Sequence, residues 1–159
     1  MDVCRVHERR FPIGDLPGTL IDSLAAAFDP LWPYEYWPPM VLDGPLAVGA
    51  RGGHGRLRYE VSDYIPGQSV SFRFLAPQGF EGGHRFEVIL VTAHQVVFRH
   101  TLALLPRGRA RITWPLIYGP LHDALIEDAL AKAERALGYQ AAGRPWSPWV
   151  KLLRLAKIP

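Results

Sequence analysis

Residues 120–138, PLHDALIEDALAKAERALG, are the stretch of sequence that decides the fold. Pro120 suits the first turn of a helix, and Gly138 suits its C-terminal end. His122 lies near the centre of the apolar arc that this helix would have. At 100° per residue, that arc is formed by Leu125, Ile126, Ala129, Leu130, Ala133, Ala136 and Leu137. The pattern predicts a long amphipathic helix that covers another apolar surface.

The segment before this helix alternates with a period of two. The stretches RLRYEVSDYIPGQSVSFRF (residues 56–74) and HRFEVILVTAHQVVFRHTLAL (residues 84–104) each contain two alternating runs joined by a turn. Such runs predict antiparallel hairpins with one apolar and one polar face. The spacing of Ile112 and Trp114 predicts one more strand, which Pro115 ends. The apolar face of this sheet needs a cover, and the long helix is the obvious one.

The N-terminal third predicts a strand, a helix and further short elements. Residues 3–12 are typical of a strand, and residues 16–28 carry an apolar stripe at helical spacing. Asp29-Pro30 ends that helix. Residues 46–50 predict a short strand. The glycine-rich stretch 51–55 predicts a turn between strands, because no Lys-Ser or Lys-Thr pair follows it as a phosphate loop requires.

Residues 29–45, DPLWPYEYWPPMVLDGP, combine prolines with large aromatic side chains. The prolines exclude a long regular helix, and the aromatic residues are too apolar for a solvated linker. The segment predicts either a structural plug over one end of the core or a gate for a ligand. The gate candidates are its large apolar side chains, namely Trp32, Tyr36, Trp37 and Met40.

Composition indicates a single soluble domain without extreme charge. The chain has 159 residues and a net charge of +3. No nucleic-acid-binding motif is evident, so we expect no nucleic-acid partner. No apolar run reaches the length of a membrane span, and the first residues lack the apolar core of a signal peptide. Because Cys4 is the only cysteine, no intrachain disulfide can form, and we expect a cytoplasmic location.

The order of these elements resembles the START, polyketide-cyclase and plant-allergen-like superfamily (SRPBCC). The resemblance rests on the two hairpins, residues 56–74 and 84–104, and on the helix of residues 120–137. It implies an α+β helix-grip fold over residues 1–142, in which a curved antiparallel sheet wraps around a long C-terminal helix. It also implies a cavity between sheet and helix. The superfamily has no common catalytic motif, so the resemblance assigns no catalytic residue.

The predicted faces bring histidines to this cavity. His84 and His100 lie on the apolar faces of neighbouring strands, and His122 lies on the apolar arc of the helix. Matching the faces of the hairpin places His100 across from Phe86 or Val88. The expected ligand-binding residues are Tyr59, Phe72, Phe74, His84, Phe86, Phe98, His100, Trp114, His122 and Leu125. His54 is a further candidate at the cavity mouth.

Three roles compete for His84, His100 and His122, and a purely structural role for each stays open. The first role is to orient the polar end of an apolar ligand. The second is proton transfer during enolisation, cyclisation or dehydration. The third is metal binding by three imidazoles, which is disfavoured because the residues come from separate elements without a local spacing signature. We therefore expect neither a metal nor a cofactor.

The sequence favours a protein that binds a small hydrophobic ligand, lipid-, polyketide- or aromatic-like, in an internal cavity. A cyclase or dehydratase that uses the histidines is the first alternative. A protein-interaction module that uses the tryptophan-rich segments is the second.

Residues 143–159 form a C-terminal extension. Ser147 suits an N-cap with Pro148 in the first turn. One face of the predicted helix carries Trp149, Leu152, Leu153 and Ala156, with basic residues beside it. Docking of this tail on its own protomer or on a second subunit of a homodimer is favoured over contact with a membrane surface.

Overall fold

The computed structural model describes residues 2–141 and 143–157. The strands are β1 (Val3–Pro12), β2 (Val41–Leu42), β3 (Arg51–His54), β4 (Leu57–Ile65), β5 (Ser69–Ala76), β6 (Phe80–Thr92) and β7 (Gln95–Pro106). They form one antiparallel seven-stranded sheet in the order β1-β7-β6-β5-β4-β3-β2. The helices are α1 (Gly18–Asp22), α2 (Ala110–Thr113), α3 (Gly119–Ala136) and α4 (Pro148–Leu155), with a 3₁₀ turn at Ile13–Asp15 and a π turn at Trp114–Tyr118.

The segment from α2 to α3 is one uninterrupted helix of 27 residues. Its buried face packs on the apolar face of the sheet in a single hydrophobic core. The predicted architecture, an α+β sheet around a long C-terminal helix, is therefore confirmed. None of the helices in the described part of the chain is both long and apolar enough to span a membrane.

Both predicted hairpins are present. The β4–β5 hairpin pairs Tyr59 with Phe74, and the β6–β7 hairpin pairs Phe86 with His100. The second pairing is one of the two registers that matching of the apolar faces predicts. The next pair on the same face of the sheet is His84 with Leu102. The alternation of apolar and polar residues was sufficient to predict these hairpins because each hairpin has only one apolar face to bury.

The strand predicted at Ile112 and Trp114 is wrong, because these residues belong to the long helix. Ile112 is exposed, whereas Trp114 is buried and continues the helical face of Leu121 and Leu125. Pro115 does not stop the helix, since the backbone widens here into a π turn in which the Gly119 N–H bonds to the Trp114 carbonyl. Two apolar residues two apart fit one face of a strand and opposite faces of a helix equally well.

The helix predicted over residues 16–28 is also wrong in extent, because only Gly18–Asp22 is α-helical. Ala25 and Phe28 have positive φ angles of 64° and 63°. The carboxylate of Asp29 accepts hydrogen bonds from the backbone N–H groups of Ala25, Leu31 and Trp32. This local capping competes with helix formation, so the apolar stripe ends early and Phe28 is left exposed.

The glycine-rich stretch 51–55 is mostly strand β3 and not a turn, and residues 46–50 form no strand. A Cβ at Gly52 would lie 1.9 Å from the Val41 carbonyl oxygen, and one at Gly53 would lie 1.9 Å from the Leu57 oxygen. Glycine is needed because neighbouring backbones approach closely. A sequence pattern cannot distinguish glycines that a close approach of backbones requires from glycines that a turn requires.

The segment of residues 29–45 packs over one end of the core. Trp32, Trp37 and Met40 are buried, whereas Tyr36 is 61% exposed. The long helix anchors the segment, because the Trp37 indole donates to Asp128 at 2.8 Å and Lys132 donates to the Trp32 carbonyl at 2.8 Å. We refer to residues 29–45 as the plug.

The C-terminal helix α4 packs against α3 with a face that differs from the predicted one. Val150 and Leu153 are buried, whereas Trp149 and Leu152 are about half exposed and Ala156 is exposed. The predicted N-cap is confirmed, because the Ser147 hydroxyl accepts from the Val150 N–H. Residue 142, at the predicted domain boundary, and residues 158–159, at the end of the predicted tail, lie outside the described residues.

Tryptophan indoles fix the tail to the chain itself. The Trp146 indole donates to the same Asp128 oxygen that accepts from Trp37, again at 2.8 Å. The Trp149 indole donates a hydrogen bond to the Leu116 carbonyl. Within a helix this carbonyl would accept from the residue four positions later, but that residue is Pro120, which has no N–H. The Arg154 guanidinium lies 4.7 Å from the centre of a Trp37 ring. Asp128 therefore joins plug, helix and tail.

We predict that Asp128→Ala destabilises the protein and loosens the plug. Loss of a charged acceptor shared by two indoles should lower the free energy of unfolding by about 2–4 kcal/mol. Urea denaturation followed by tryptophan fluorescence measures this loss and the accompanying red shift. The matched control is Glu81→Ala, which removes an exposed ion pair with Arg107 and should change stability by less than about 0.5 kcal/mol. Equal effects of the two variants would contradict the role of Asp128.

Candidate functional site

A small cavity lies between the sheet and α3, at the end covered by the plug. Its volume is about 50 Å³. Its wall consists of Trp37, His54, Arg56, Leu57, Phe74, Leu102, Trp114, Tyr118, Leu121, His122 and Leu125. The space holds a few water molecules, since each needs roughly 10–15 Å³. Small-molecule sites are usually about 300–1,000 Å³, so the interior is largely filled in this conformation.

A histidine pair lies on the sheet behind the cavity. Nε2 of His100 and Nδ1 of His84 are 3.3 Å apart, within hydrogen-bonding distance. Adjacent strands of the β6–β7 hairpin bring them together, because His84 and His100 are diagonal neighbours on one face. The His84 ring stacks on Phe72 with ring centres 4.8 Å apart. His100 is fully buried.

The helix and the plug extend this pair into a larger cluster. The ring of His122, on α3, lies 5.1 Å from that of His100. On the other side, the Tyr59 ring lies 5.2 Å from His84, and His54 lies 6.0 Å from Tyr59 and 4.7 Å from Trp32. The sheet, the long helix and the plug all contribute to one buried, partly polar cluster.

Several buried polar atoms in this cluster have no hydrogen-bond partner among the described residues. They are Tyr59 Oη, His100 Nδ1, Trp114 Nε1 and His122 Nε2. Trp114 and His122 line the cavity directly, with ring centres 5.9 Å apart. Leaving a buried polar atom unpaired costs roughly 1–3 kcal/mol, so these atoms are placed at a cost in stability. Those of Trp114 and His122 are available to hydrogen-bond a molecule in the cavity.

The far side of His122 is polar and involves strand β1. His122 Nδ1 lies 3.0 Å from Asp123 Oδ1, and His7 Nε2 lies 3.3 Å from the same oxygen. His7 Nδ1 also contacts Glu127 Oε1 at 2.8 Å, and Arg9 donates to Glu127 Oε2 at 2.8 Å. The charged face of β1 therefore faces the helix, whereas Cys4 and Val6 on the other face are exposed.

Burial sets the charge of most of these imidazoles. It lowers the pKa of His54 to about 3 and holds the pKa values of His84 and His100 well below the usual range. These histidines are neutral at pH 7. Burial also lowers the pKa of His122, against the opposing effect of the Asp123 carboxylate.

The pKa values of His7 and Asp123 shift in the directions expected of an ion pair. Hydrogen bonding to Asp123, followed by that to Glu127, raises the pKa of His7 although burial opposes it. Burial disfavours ionisation of Asp123, but hydrogen bonds with His122 and His7 outweigh it and hold the pKa of Asp123 below its usual range. The protonated ring of His7 can donate to both carboxylates at once.

The structure separates the predicted ligand-binding residues into two groups. Phe74, Trp114, His122 and Leu125 line the cavity, as does the gate candidate Trp37. Tyr59, Phe72, His84, Phe86, Phe98 and His100 are buried behind it on the sheet. Tyr36, proposed as part of a gate, is largely exposed and does not line the cavity. Trp114 lines the cavity from a helix and not from the predicted strand.

Sequence reasoning missed several members of the site. Leu57, Leu102, Tyr118 and Leu121 also line the cavity, and Arg56 lies where its wall reaches the surface. The contacts of His7 with Asp123 and Glu127 were missed as well. A usable signal existed, because Arg5, His7 and Arg9 share one strand face and acidic residues recur at four-residue spacing on the helix. The more apolar face of β1 pointed the other way.

Solved structures with the same architecture support the fold assignment. A solution structure of a protein from Thermobifida fusca is 16% identical and aligns over 90% of this chain and 99% of its own, with a TM-score of 0.61. CalU16 from Micromonospora echinospora is 12% identical over 97% of this chain and 83% of its own, with a TM-score of 0.58. Norcoclaurine synthase from Thalictrum flavum, solved with dopamine and hydroxybenzaldehyde, is 16% identical over 88% and 90%, with a TM-score of 0.57.

The chain has the helix-grip fold that these solved structures share. At these identities the likeness concerns the fold alone. No protein-family model matches the chain, and no curated protein sequence matches it significantly. The helix-grip fold explains why the sheet and the long helix enclose the cavity, and the chemistry of the cavity must be argued from its own side chains.

We predict that acid destabilises the protein through its buried histidines. Because their folded pKa values lie below that of an unfolded histidine, the unfolded chain takes up protons first as the pH falls below about 6.5. The free energy of unfolding is therefore highest above this pH. Below it, the free energy of unfolding decreases by up to about 1.4 kcal/mol per pH unit for each such histidine. His7 acts in the opposite direction, because its raised pKa stabilises the protonated folded state until the pH rises through that value.

Urea denaturation between pH 7.5 and about 5.5 measures this slope. His84→Phe keeps the ring stacking on Phe72 and removes one titrating group, so the slope should become smaller by up to about 1.4 kcal/mol per pH unit. His94→Phe makes the same substitution at an exposed histidine and serves as the matched control. An unaltered slope in His84→Phe would show that His84 is not neutral in the folded protein.

Proposed function

We propose that this protein binds a small, mainly apolar molecule with hydrogen-bonding groups in the cavity between sheet and helix. The observation that carries the proposal is the pair of unpaired polar atoms on His122 and Trp114, which line the cavity, with those of His100 and Tyr59 behind them. An apolar wall with a few convergent polar groups is the usual anatomy of a small-molecule site. Most buried polar atoms of folded proteins have a hydrogen-bond partner, so unpaired atoms concentrated at one cavity support a binding role.

The hydrogen-bond donors and acceptors of the cluster determine which kind of ligand fits. The neutral His122 that donates its Nδ1–H to Asp123 presents the lone pair of Nε2 to the cavity, so it accepts a hydrogen bond. The indole of Trp114 can only donate. A ligand with a hydroxyl and a carbonyl on an aromatic or polyketide-like frame satisfies both. Neutral imidazoles offer no charge to a carboxylate, and the cationic side chain of the wall, Arg56, lies where the wall reaches the surface.

Binding of such a ligand requires the plug to move. A volume of about 50 Å³ is too small for a molecule of ten or more heavy atoms. Trp37 lines the cavity and belongs to the plug, so its displacement enlarges the space. The contacts of Trp37 with Asp128 and Arg154 hold the ring in place and would set the cost of opening.

The alternative of a protein-interaction module receives less support. Its tryptophans are used within the chain, because the indoles of Trp32, Trp37, Trp146 and Trp149 all donate to acceptors of the same protomer. These contacts explain the aromatic richness of the plug and the tail without a partner. They also favour docking of the tail on its own protomer over contact with a membrane surface.

We predict that filling the cavity abolishes binding of a small aromatic probe. Leu125→Trp adds bulk to the cavity wall, and Ile112→Trp makes a matching change at a 64% exposed position of the same long helix. Titration with 4-hydroxybenzaldehyde, followed by heteronuclear NMR, should give saturable shifts of Trp114 and His122 in the wild type. The affinity should fall at least tenfold in Leu125→Trp and stay unchanged in Ile112→Trp.

Saturable binding that survives in Leu125→Trp would place the probe elsewhere and would contradict the proposed site. Native mass spectrometry of the purified protein adds an independent check. A co-purified neutral, mainly apolar molecule that is absent from Leu125→Trp would support the proposal.

Catalysis of proton transfer is a second candidate function, and one arrangement favours it. His122 is held by the Asp123 carboxylate at Nδ1 while Nε2 faces the cavity. A carboxylate that orients an imidazole in this way is a recurring device in general acid–base catalysis. The chemistry that fits is enolisation of a bound carbonyl compound, the step on which cyclase- and dehydratase-like reactions depend.

We predict that His122→Gln abolishes any such activity while preserving the fold. The probe is acetylacetone in deuterated water, and NMR measures the exchange of its acidic hydrogens. Catalysed exchange should fall by about 100-fold or more in His122→Gln, because general base catalysis is typically worth that much. His94→Gln serves as the exposed-histidine control. An exchange rate in the wild type equal to that of buffer would remove the catalytic candidate and leave the binding function standing.

A further inference from the structure

A second polar cluster lies on the opposite side of His122 from the cavity. It consists of His7 on β1 and of His122 and Asp123 on α3. One nitrogen of each imidazole and one oxygen of the carboxylate lie within 4.8 Å of one another. Among the described residues, this is the group of histidine and acidic side chains whose geometry suits a metal ion. It differs from the all-histidine set that the sequence suggested, which would have joined His84, His100 and His122.

We propose that His7, His122 and Asp123 form a binding site for a divalent transition-metal ion such as Zn²⁺. The Asp123 oxygen lies 3.0 Å from His122 Nδ1 and 3.3 Å from His7 Nε2. Ligand atoms bound tetrahedrally to zinc at about 2.0–2.1 Å lie about 3.3 Å from each other. These two separations therefore already match a zinc site. The two imidazole nitrogens lie within 4.8 Å of each other and would approach to about 3.3 Å on a tetrahedral ion.

The surroundings of these residues complete the arrangement. His7 Nδ1 contacts Glu127 at 2.8 Å, which is the carboxylate contact that metal-binding histidines commonly make with their second ring nitrogen. Arg9 in turn holds Glu127 in place. Arg5 lies 3.5 Å from Oδ2 of Asp123, so Oδ1 is left as the ligand atom.

The cluster is accessible from solvent. His7 and His122 side chains are 13% and 12% exposed, and Asp123 is 38% exposed. An ion can enter past Asp123, and water can supply the remaining ligand. Two imidazoles and a carboxylate suit zinc and neighbouring transition metals better than Mg²⁺ or Ca²⁺, which prefer all-oxygen sites.

A metal here would change the cavity through one shared ring. In the hydrogen bond with Asp123, the proton of a neutral His122 sits on Nδ1. A metal on Nδ1 moves that proton to Nε2, which would turn the cavity-facing nitrogen from an acceptor into a donor. This consequence rests on the proposed binding function, whereas the metal site itself does not.

Zinc titration of the full-length protein after treatment with a chelator tests the site. Isothermal titration calorimetry should give one equivalent of bound Zn²⁺ in the wild type. His7→Gln, His122→Gln and Asp123→Asn should each weaken binding by about 100-fold or more, and Glu127→Gln by about tenfold, the usual effect of losing an outer partner. His94→Gln and Cys4→Ser are controls for adventitious binding by an exposed imidazole or thiol, and they should bind like the wild type.

Two further measurements guard against misfolding and adventitious binding. Circular dichroism of the metal-free variants shows whether each one is folded. Substitution with Co²⁺ should give a visible spectrum without sulfur charge-transfer bands, and Zn²⁺ should shift the ring nitrogens of His7 and His122 in ¹⁵N spectra. The proposal would be overturned if the wild type bound Zn²⁺ with a dissociation constant above about 1 mM, which is on the order of non-specific affinity. Equal binding by folded His7→Gln, or loss of binding in Cys4→Ser, would also overturn it. None of these outcomes depends on binding of an organic ligand, so the two proposals fail separately.

Discussion

The rest of the structure depends on burial of neutral imidazoles between the sheet and the long helix. His84 and His100 occupy positions on an apolar sheet face where leucine or phenylalanine would pack at lower cost. Their mutual hydrogen bond satisfies one nitrogen of each ring and leaves Nδ1 of His100 unpaired. The helix adds His122, and its two ring nitrogens face different surroundings. One nitrogen faces the cavity, and the other faces the Asp123 carboxylate.

The long helix organises everything around this cluster. Its apolar face covers the sheet, and its polar positions hold the peripheral segments. Asp128 binds the indoles of the plug and the tail, and Lys132 binds the backbone of the plug. Asp123 and Glu127 contact strand β1. These charged residues of the long helix are therefore structural contacts.

The fold was predictable because its elements carry strong periodic patterns. The hairpins have one apolar face each, and this sufficed for the pairing of Phe86 with His100. The histidine cluster followed from the same faces. Trp114 was assigned to a strand because two apolar residues at a spacing of two do not define an element, and Pro115 suggested an end that a π turn avoids. His7 was missed because contact between charged faces of a strand and a helix leaves no apolar signal. The small volume of the cavity depends on side-chain packing of the plug, which no pattern of residue types specifies.

The central claim is that the unpaired atoms of His122 and Trp114, which line the cavity, bind polar groups of a small molecule. Long-range ¹H–¹⁵N spectra of the histidine side chains test it most directly, because they report the tautomer and hydrogen bonding of each ring nitrogen. With 4-hydroxybenzaldehyde present, the account predicts saturable shifts at Nε2 of His122, and none at the exposed His94. Unchanged resonances of His122 at saturating probe, or equal shifts at His94, would contradict it.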